Sequence, residues 1–226
     1  MNCGPAFLRP DMYSSRRERA ANQNQNGVAI MTREEIVRLQ ERIGTEADGF
    51  WGPESIAACQ NYLRAMMPRT APFPKQAMIE SFFGRHGENE GYTPPMKEVL
   101  LPFTVYYNET RVTKLRAHEK CADSLLRVFE RLAEEFPTEA ARESAGIQTY
   151  DGLYNPRRMR GNRGAWSMHA WAIAIDLDAG RNGNSSHWPS RAKMPIEVME
   201  CFAKEGWTPA GAFWHRDAMH FQATDV

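Results

Sequence analysis

The alternation of apolar and polar positions predicts a helical N-terminal part and a mixed C-terminal part. Thr32 with Glu35 forms a capping box ahead of an apolar run. Ile36, Leu39 and Ile43 recur at helical spacing until Gly44 stops the helix. Asp48-Gly49-Phe50-Trp51-Gly52 reads as a turn, and Pro53 suits the first position of a second helix. Ile56, Cys59, Gln60 and Leu63 form the buried stripe of that helix. Prolines 68, 72, 74, 94 and 95 mark irregular backbone. Between them lie a short helix, Ala77 to Phe83, and an exposed loop, Gly84 to Gly91, in which His86 is expected to be solvated.

Phe103 to Tyr107 has strand character. Residues 115–136 read as one amphipathic helix, with Cys121, Leu125, Phe129, Leu132 and Phe136 on a single face. His118 falls in its first turns, as a cap or surface residue. Ile147 to Leu153 is a second strand, and Ala172 to Leu177 a third. In the third, Ile173, Ile175 and Leu177 face the core and Asp176 the opposite side. Pro195 to Lys204 is the last helix, Trp207 to Trp214 a loop, and Asp217 to His220 a closing strand. This order predicts an α+β fold with a small antiparallel sheet packed by helices, beside a small all-α domain. The expected division is a disordered extension over 1–30, a helical domain over 31–75, a linker over 76–91 and an α+β domain over 92–226.

Composition narrows the classes. Lys+Arg and Asp+Glu both number 28 in 226 residues, so no global field favours nucleic acid. No apolar run approaches the ~20 residues of a membrane span. Cysteines 3, 59, 121 and 201 have no Cys-Xaa-Xaa-Cys spacing and read as reduced, mostly buried thiols. The N-terminus shows no apolar stretch of a secretory signal.

Candidate chemistry gathers near the C-terminus. His169, Asp176 and His220 would make a zinc site with one position open for water, the ligand count of catalytic zinc. His169 and Asp176 are seven residues apart, about 23 Å in a straight strand, so the chain must turn between them. Asp217, three residues before His220, is near the metal yet free to handle a proton. Partial burial and like charge must tune it upward to serve as an acid. Arg157, Arg158, Arg160 and Arg163 crowd into seven residues before the metal loop, where guanidinium groups could hold carboxylates. Ser167 orients the His169 loop and does not attack, since no nucleophile elbow surrounds it. His187 belongs to the cleft rim, and His215 could line the substrate groove with Trp214.

Ser167-Met168-His169, Ala174-Ile175-Asp176 and Asp217-Ala218-Met219-His220-Phe221, with Tyr150-Asp151-Gly152, Tyr154-Asn155-Pro156-Arg157 and Arg160-Gly161, resemble the VanY-like superfamily of zinc peptidases. That superfamily contains D-Ala-D-Ala carboxypeptidases and L-alanyl-D-glutamate endopeptidases, and the likeness to its phage branch covers about residues 92–226. Ala172 stands where the family usually has Gly, which narrows the backbone approach beside the metal but removes no ligand. Leu39-Gln40, Asp48-Gly49, Trp51-Gly52-Pro53 and Ala57-Ala58 resemble the small three-helix peptidoglycan-binding domain of wall hydrolases; the alternative is a helical hairpin that only packs on the C-terminal domain.

The resemblance implies one zinc ion on His169, Asp176 and His220, with Asp217 as the catalytic acidic residue. It implies a catalytic arginine, Arg160 before Arg157, substrate contacts from Ser167, Trp214 and His215, and wall contacts from Asp48 and Trp51. The expected partner is bacterial peptidoglycan, cut by a monomeric endolysin between L-Ala and D-Glu or at a D-Ala linkage. Neither nucleic acid nor membrane insertion is expected. Such an enzyme is made in the host cytoplasm and reaches the wall after the membrane is permeabilised. A carboxypeptidase of wall remodelling is the neighbouring alternative. A non-catalytic wall-binding or phage structural protein is the alternative from another class.

Overall fold

The computed structural model describes residues 31–159 and 164–225. Helix α1 (Arg33–Ile43) starts at the expected capping box: Thr32 Oγ1 accepts from the Glu35 amide at 3.1 Å, and Glu35 Oε2 accepts from the Thr32 amide at 2.7 Å. Gly44, at φ 72°, closes it in the left-handed region that glycine enters without steric cost. Helix α2 (Pro53–Met66) follows the turn. That turn is organised by Gln40, whose buried amide donates to Asp48 Oδ1, Phe50 O and Ser55 Oγ and accepts from the Gly49 amide.

Both helices pack directly on the C-terminal part. The buried Glu200 carboxylate receives two hydrogen bonds from the Arg42 guanidinium, at 2.7 and 2.9 Å, and one from Tyr62 Oη at 2.9 Å. Trp51 meets Trp188 edge-on at 5.4 Å. One continuous apolar core runs from Leu39 and Leu63 to Phe221.

The segment expected as a linker is built in. Residues Gln76–Met78 form a 3-10 turn leading into α3 (Ile79–Phe83), whose Ile79 and Phe83 are buried. Beyond it, Gly84 O accepts from Trp171 Nε1, and the Gly87 amide donates to Ala170 O. An added Cβ at Gly87 would lie 2.1 Å from the Tyr154 hydroxyl, so any larger residue would displace the Tyr154 ring. His86 is half-buried, stacked on Trp166 at 3.9 Å, and not solvated as expected: two tryptophans supply a better surface than water.

Strands β1 (Met96–Tyr107) and β2 (Thr110–His118) form an antiparallel hairpin, turning at Asn108 and Glu109, both with positive φ. Here the sequence expectation needs correction. Residues 115–118 end a strand, with Leu115 and Ala117 buried, and the amphipathic helix α4 (Glu119–Glu135) starts only after His118. Pairing with β1 supplies the hydrogen bonds that a helix would have supplied. A short helix α5 (Glu139–Ala145), capped by Thr138, has no counterpart in the expected element order.

A four-stranded antiparallel sheet carries the site, in the order β3-β4-β6-β5. Its strands are β3 (Tyr150–Gly152), β4 (Ala174–Leu177), β5 (Thr208–Pro209) and β6 (His220–Gln222). Helix α6 (Ala179–Asn182) follows β4, α7 (Ile196–Lys204) packs on the sheet, and α8 (Ala210–Trp214) occupies most of the expected 207–214 loop. Phe202 of α7 stacks on Phe221 of β6 at 3.9 Å. The closing strand starts at His220, so Asp217 sits in the turn before it and not in the strand. The α+β expectation holds.

Cys59, Cys121 and Cys201 are buried free thiols, and burial pushes Cys59 and Cys201 up to about 12. Cys3 lies outside the described residues. Among the described residues no helix is long and apolar enough to cross a membrane.

His118 offers a pH prediction. It is fully buried, Nε2 donates to Phe83 O at 2.9 Å, and Nδ1 accepts from the Lys120 amide at 3.2 Å. A second proton would face that amide, and burial lowers the imidazole pKa below its usual value. The unfolded chain therefore binds this proton more readily, so the His118 contribution is complete above about pH 6.5 and shrinks below it. Denaturant midpoints at pH 5 and pH 8 should differ less in His118→Gln than in wild type; an unchanged difference contradicts the assignment.

Candidate metal centre and active site

Asp176 and His220 are directly paired residues on the neighbouring strands β4 and β6. Such pairs place their Cβ atoms about 4.5–5.5 Å apart on one face, so the sheet itself brings these two donors together. His169 arrives from the 3-10 turn Met168–Trp171 that precedes β4. The reversal between turn and strand falls at Ala172, which takes φ 57° and is fully buried. An L-residue there costs about 1–2 kcal/mol relative to glycine. The alanine is thus felt as backbone strain.

The three donor atoms converge. His220 Nδ1 lies 2.9 Å from Asp176 Oδ1, and His169 Nε2 lies 3.3 Å from both. Neighbours fix which nitrogens face inward. His169 Nδ1 is 2.8 Å from Leu153 O, a pure acceptor, so that nitrogen carries the hydrogen. Gln222 Nε2 donates to Thr224 Oγ1 at 2.6 Å, which turns Gln222 Oε1 toward His220 Nε2 at 3.2 Å. His220 therefore presents Nδ1 as a lone pair. Two nitrogen lone pairs and a carboxylate oxygen meet with no hydrogen between them, an arrangement that calls for a cation. Tetrahedral bonds of about 2.0–2.2 Å require donor separations of roughly 3.3–3.6 Å. The two separations from His169 match, and the 2.9 Å between Asp176 and His220 would have to open by a few tenths of an ångström to take zinc; second partners hold both imidazoles as such sites require.

The same pocket draws positive charge, whether a cation or protons supply it. Burial opposes charge on Asp176, but His169 and His220 beside it outweigh burial and hold the carboxyl far below its usual range. Burial would lower His220, yet the Asp176 hydrogen bond and charge, with that of Asp217, raise it. Asp217 behaves oppositely to Asp176: burial pushes it up, and the Asp176 charge adds to this. Its Oδ1 is buried with no hydrogen-bond partner. One carboxylate is thus fixed as an anion among the donors, while its neighbour is left with proton affinity to spare.

A cavity of about 510 Å³ opens over these groups. Ser167, Trp214 and Arg157 line it, together with Arg216, Gln76 and Gln222. Arg160, the first choice for the catalytic arginine, and Arg163 lie outside the described residues. Arg158 is turned away, over the Trp166 ring at 4.2 Å. His215, expected in the groove, does not line it. It takes φ 61° and sits beside His187, whose charge joins burial in lowering its pKa; the left-handed turn puts Arg216 at the cavity in its place. Gln222 could have been found from its two-residue offset from His220, which repeats a strand face. Arg216 carried no such signal.

Asp48 and Trp51, expected to contact the wall, have structural duties. Asp48 Oδ1 caps the Phe50 amide and receives Gln40, which holds its carboxyl below the usual range. Trp51 packs on Trp188.

The fold and site define a class: an α+β protein with a His/Asp/His donor set that could hold a metal ion, an open cavity above it and a buried, unpartnered carboxylate alongside. Residues 160–223 match the family model described as D-alanyl-D-alanine carboxypeptidase, a span that takes in all three donors and Asp217. No curated protein and no solved structure matches the chain.

Proposed function

We propose that the chain is a zinc-dependent peptidase of bacterial peptidoglycan that hydrolyses an amide bond of the wall stem peptide. The observation that carries this reading is the pairing of three converging donors with an unpartnered, up-shifted Asp217 in one open cavity. Zinc bound by His169, Asp176 and His220 would polarise the scissile carbonyl and acidify the attacking water. Asp217 takes the proton from that water and returns it to the leaving amine, a task suited to a carboxylate tuned upward by burial. Arg157 and Arg216 flank the cavity and can hold a substrate carboxylate or the developing oxyanion.

For the bond cut we favour L-Ala–D-Glu, in an endolysin role, because an open cavity accommodates an internal stretch of peptide. The matched family's description supports a second reading, removal of a terminal D-Ala. Mass spectrometry of purified peptidoglycan digested by the zinc-loaded protein separates them. A new D-Glu amino terminus supports the first and released D-Ala the second. Intact stems would reject both for that wall type and favour a non-catalytic wall-binding role, to which the N-terminal helical unit would contribute.

A further inference from the structure

The metal cavity is not closed on the side of the helical unit. A second cavity of about 390 Å³ shares Gln76, Trp214 and Gln222 with it, so the two form one groove. We propose that this extension is a substrate subsite that takes a carboxylate of the peptide, with Arg64 and Lys75 as its binding groups. The inference rests on the peptidase reading and adds to it a specificity determinant contributed from outside the matched span.

Arg64 comes from the last turn of α2. One turn earlier Gln60 donates to Ala212 O and Phe213 O, both at 3.4 Å, which pins this helix face against α8. The Arg64 guanidinium lies 5.0 Å from the centre of the Phe213 ring, a cation–π contact that positions it while leaving its N–H groups available. Lys75 approaches from the other side. Its backbone pairs with Asp225, whose amide donates to Pro74 O at 2.9 Å, so the segment leading into Gln76 is held at the groove. Both cations are exposed, and neither is ion-paired with a carboxylate among the described residues. Among the described residues Asp225 is the one carboxylate lining this cavity, against two cations. An anionic group is therefore favoured, and a guanidinium can grip a carboxylate with two parallel hydrogen bonds. Trp214, at the junction, offers an exposed ring for the peptide backbone between the reacting bond and that carboxylate.

The test uses the full chain loaded with zinc. Calorimetric titration compares a soluble stem tetrapeptide bearing free carboxylates with the same peptide amidated, in an Asp217→Asn background that slows turnover. R64Q/K75Q should weaken binding of the carboxylate form about tenfold and that of the amidated form less than twofold. Should the double variant not fold, Lys75→Gln alone, on an exposed side chain, should weaken the carboxylate form about threefold. Equal weakening of both forms, or no weakening, overturns the subsite. Hydrolysis by the unsubstituted chain is read separately. If it cleaves the peptide while the variants bind like wild type, the subsite is wrong and the peptidase reading stands. If it never cleaves yet shows the Arg64- and Lys75-dependent preference, the subsite stands without the peptidase. Absence of binding to either peptide overturns the subsite.

Discussion

Asp217→Asn should lower turnover of stem peptide by about 10²–10⁴-fold, the usual contribution of a positioned acid–base group, with zinc content unchanged. Asparagine preserves the shape of the side chain but cannot accept the water proton. Asp217 is not one of the three converging donors, so metal binding should survive. Steady-state kinetics and metal analysis on the same preparation decide the matter. Loss of zinc would make Asp217 a ligand, and unchanged turnover would remove it from the proton path. Serving only to orient a ligand, it would cost metal affinity before it cost rate.

His220→Ala is expected to abolish stoichiometric zinc binding and, with it, activity. Two donors remain where three were, and the nitrogen lone pair opposite Asp176 disappears. Gln222→Leu provides the graded comparison, since losing an outer partner of a ligand typically costs about 10–100-fold in affinity. Competition with a chelator ranks the three proteins. A second readout is thermal: zinc at 100 times its Kd should stabilise the wild-type fold by about 2.7 kcal/mol and leave His220→Ala unmoved. Equal zinc affinity in His220→Ala and wild type would reject the His/Asp/His centre.

Much of this centre is legible in the amino-acid sequence because its donors obey strand arithmetic. The apolar alternation of Ile173, Ile175 and Leu177 sets the face on which Asp176 lies, and the seven-residue gap to His169 demands a turn. The turn is there, with its reversal at Ala172. What stays hidden depends on partners distant in sequence. Thr110 to His118 is a strand because β1 lies beside it, and Leu115 and Ala117 look equally at home at the start of a helix. His86 reads as solvated because Trp166 is 80 residues away. Arg216 and His215 exchange places through a single left-handed residue, a conformation that histidine does not advertise. That the helical pair packs on the C-terminal part is conceivable from the sequence, but the residues that do it are not, since Arg42 and Glu200 are separated by 158 positions.

That last contact limits how the protein can be re-engineered. Trimming the chain to a minimal catalytic fragment starting after residue 67 would strip Arg42 and Tyr62 from Glu200 and Trp51 from Trp188. The α7 carboxylate would lose its counter-charge, and apolar surface that the two helices now cover would be laid open to water. The fragment should be poorly soluble, and a foreign targeting module grafted in place of α1 and α2 would not repair it unless it restored the same clamp. New modules are best joined ahead of the Thr32 capping box, so that α1 and its contacts stay intact.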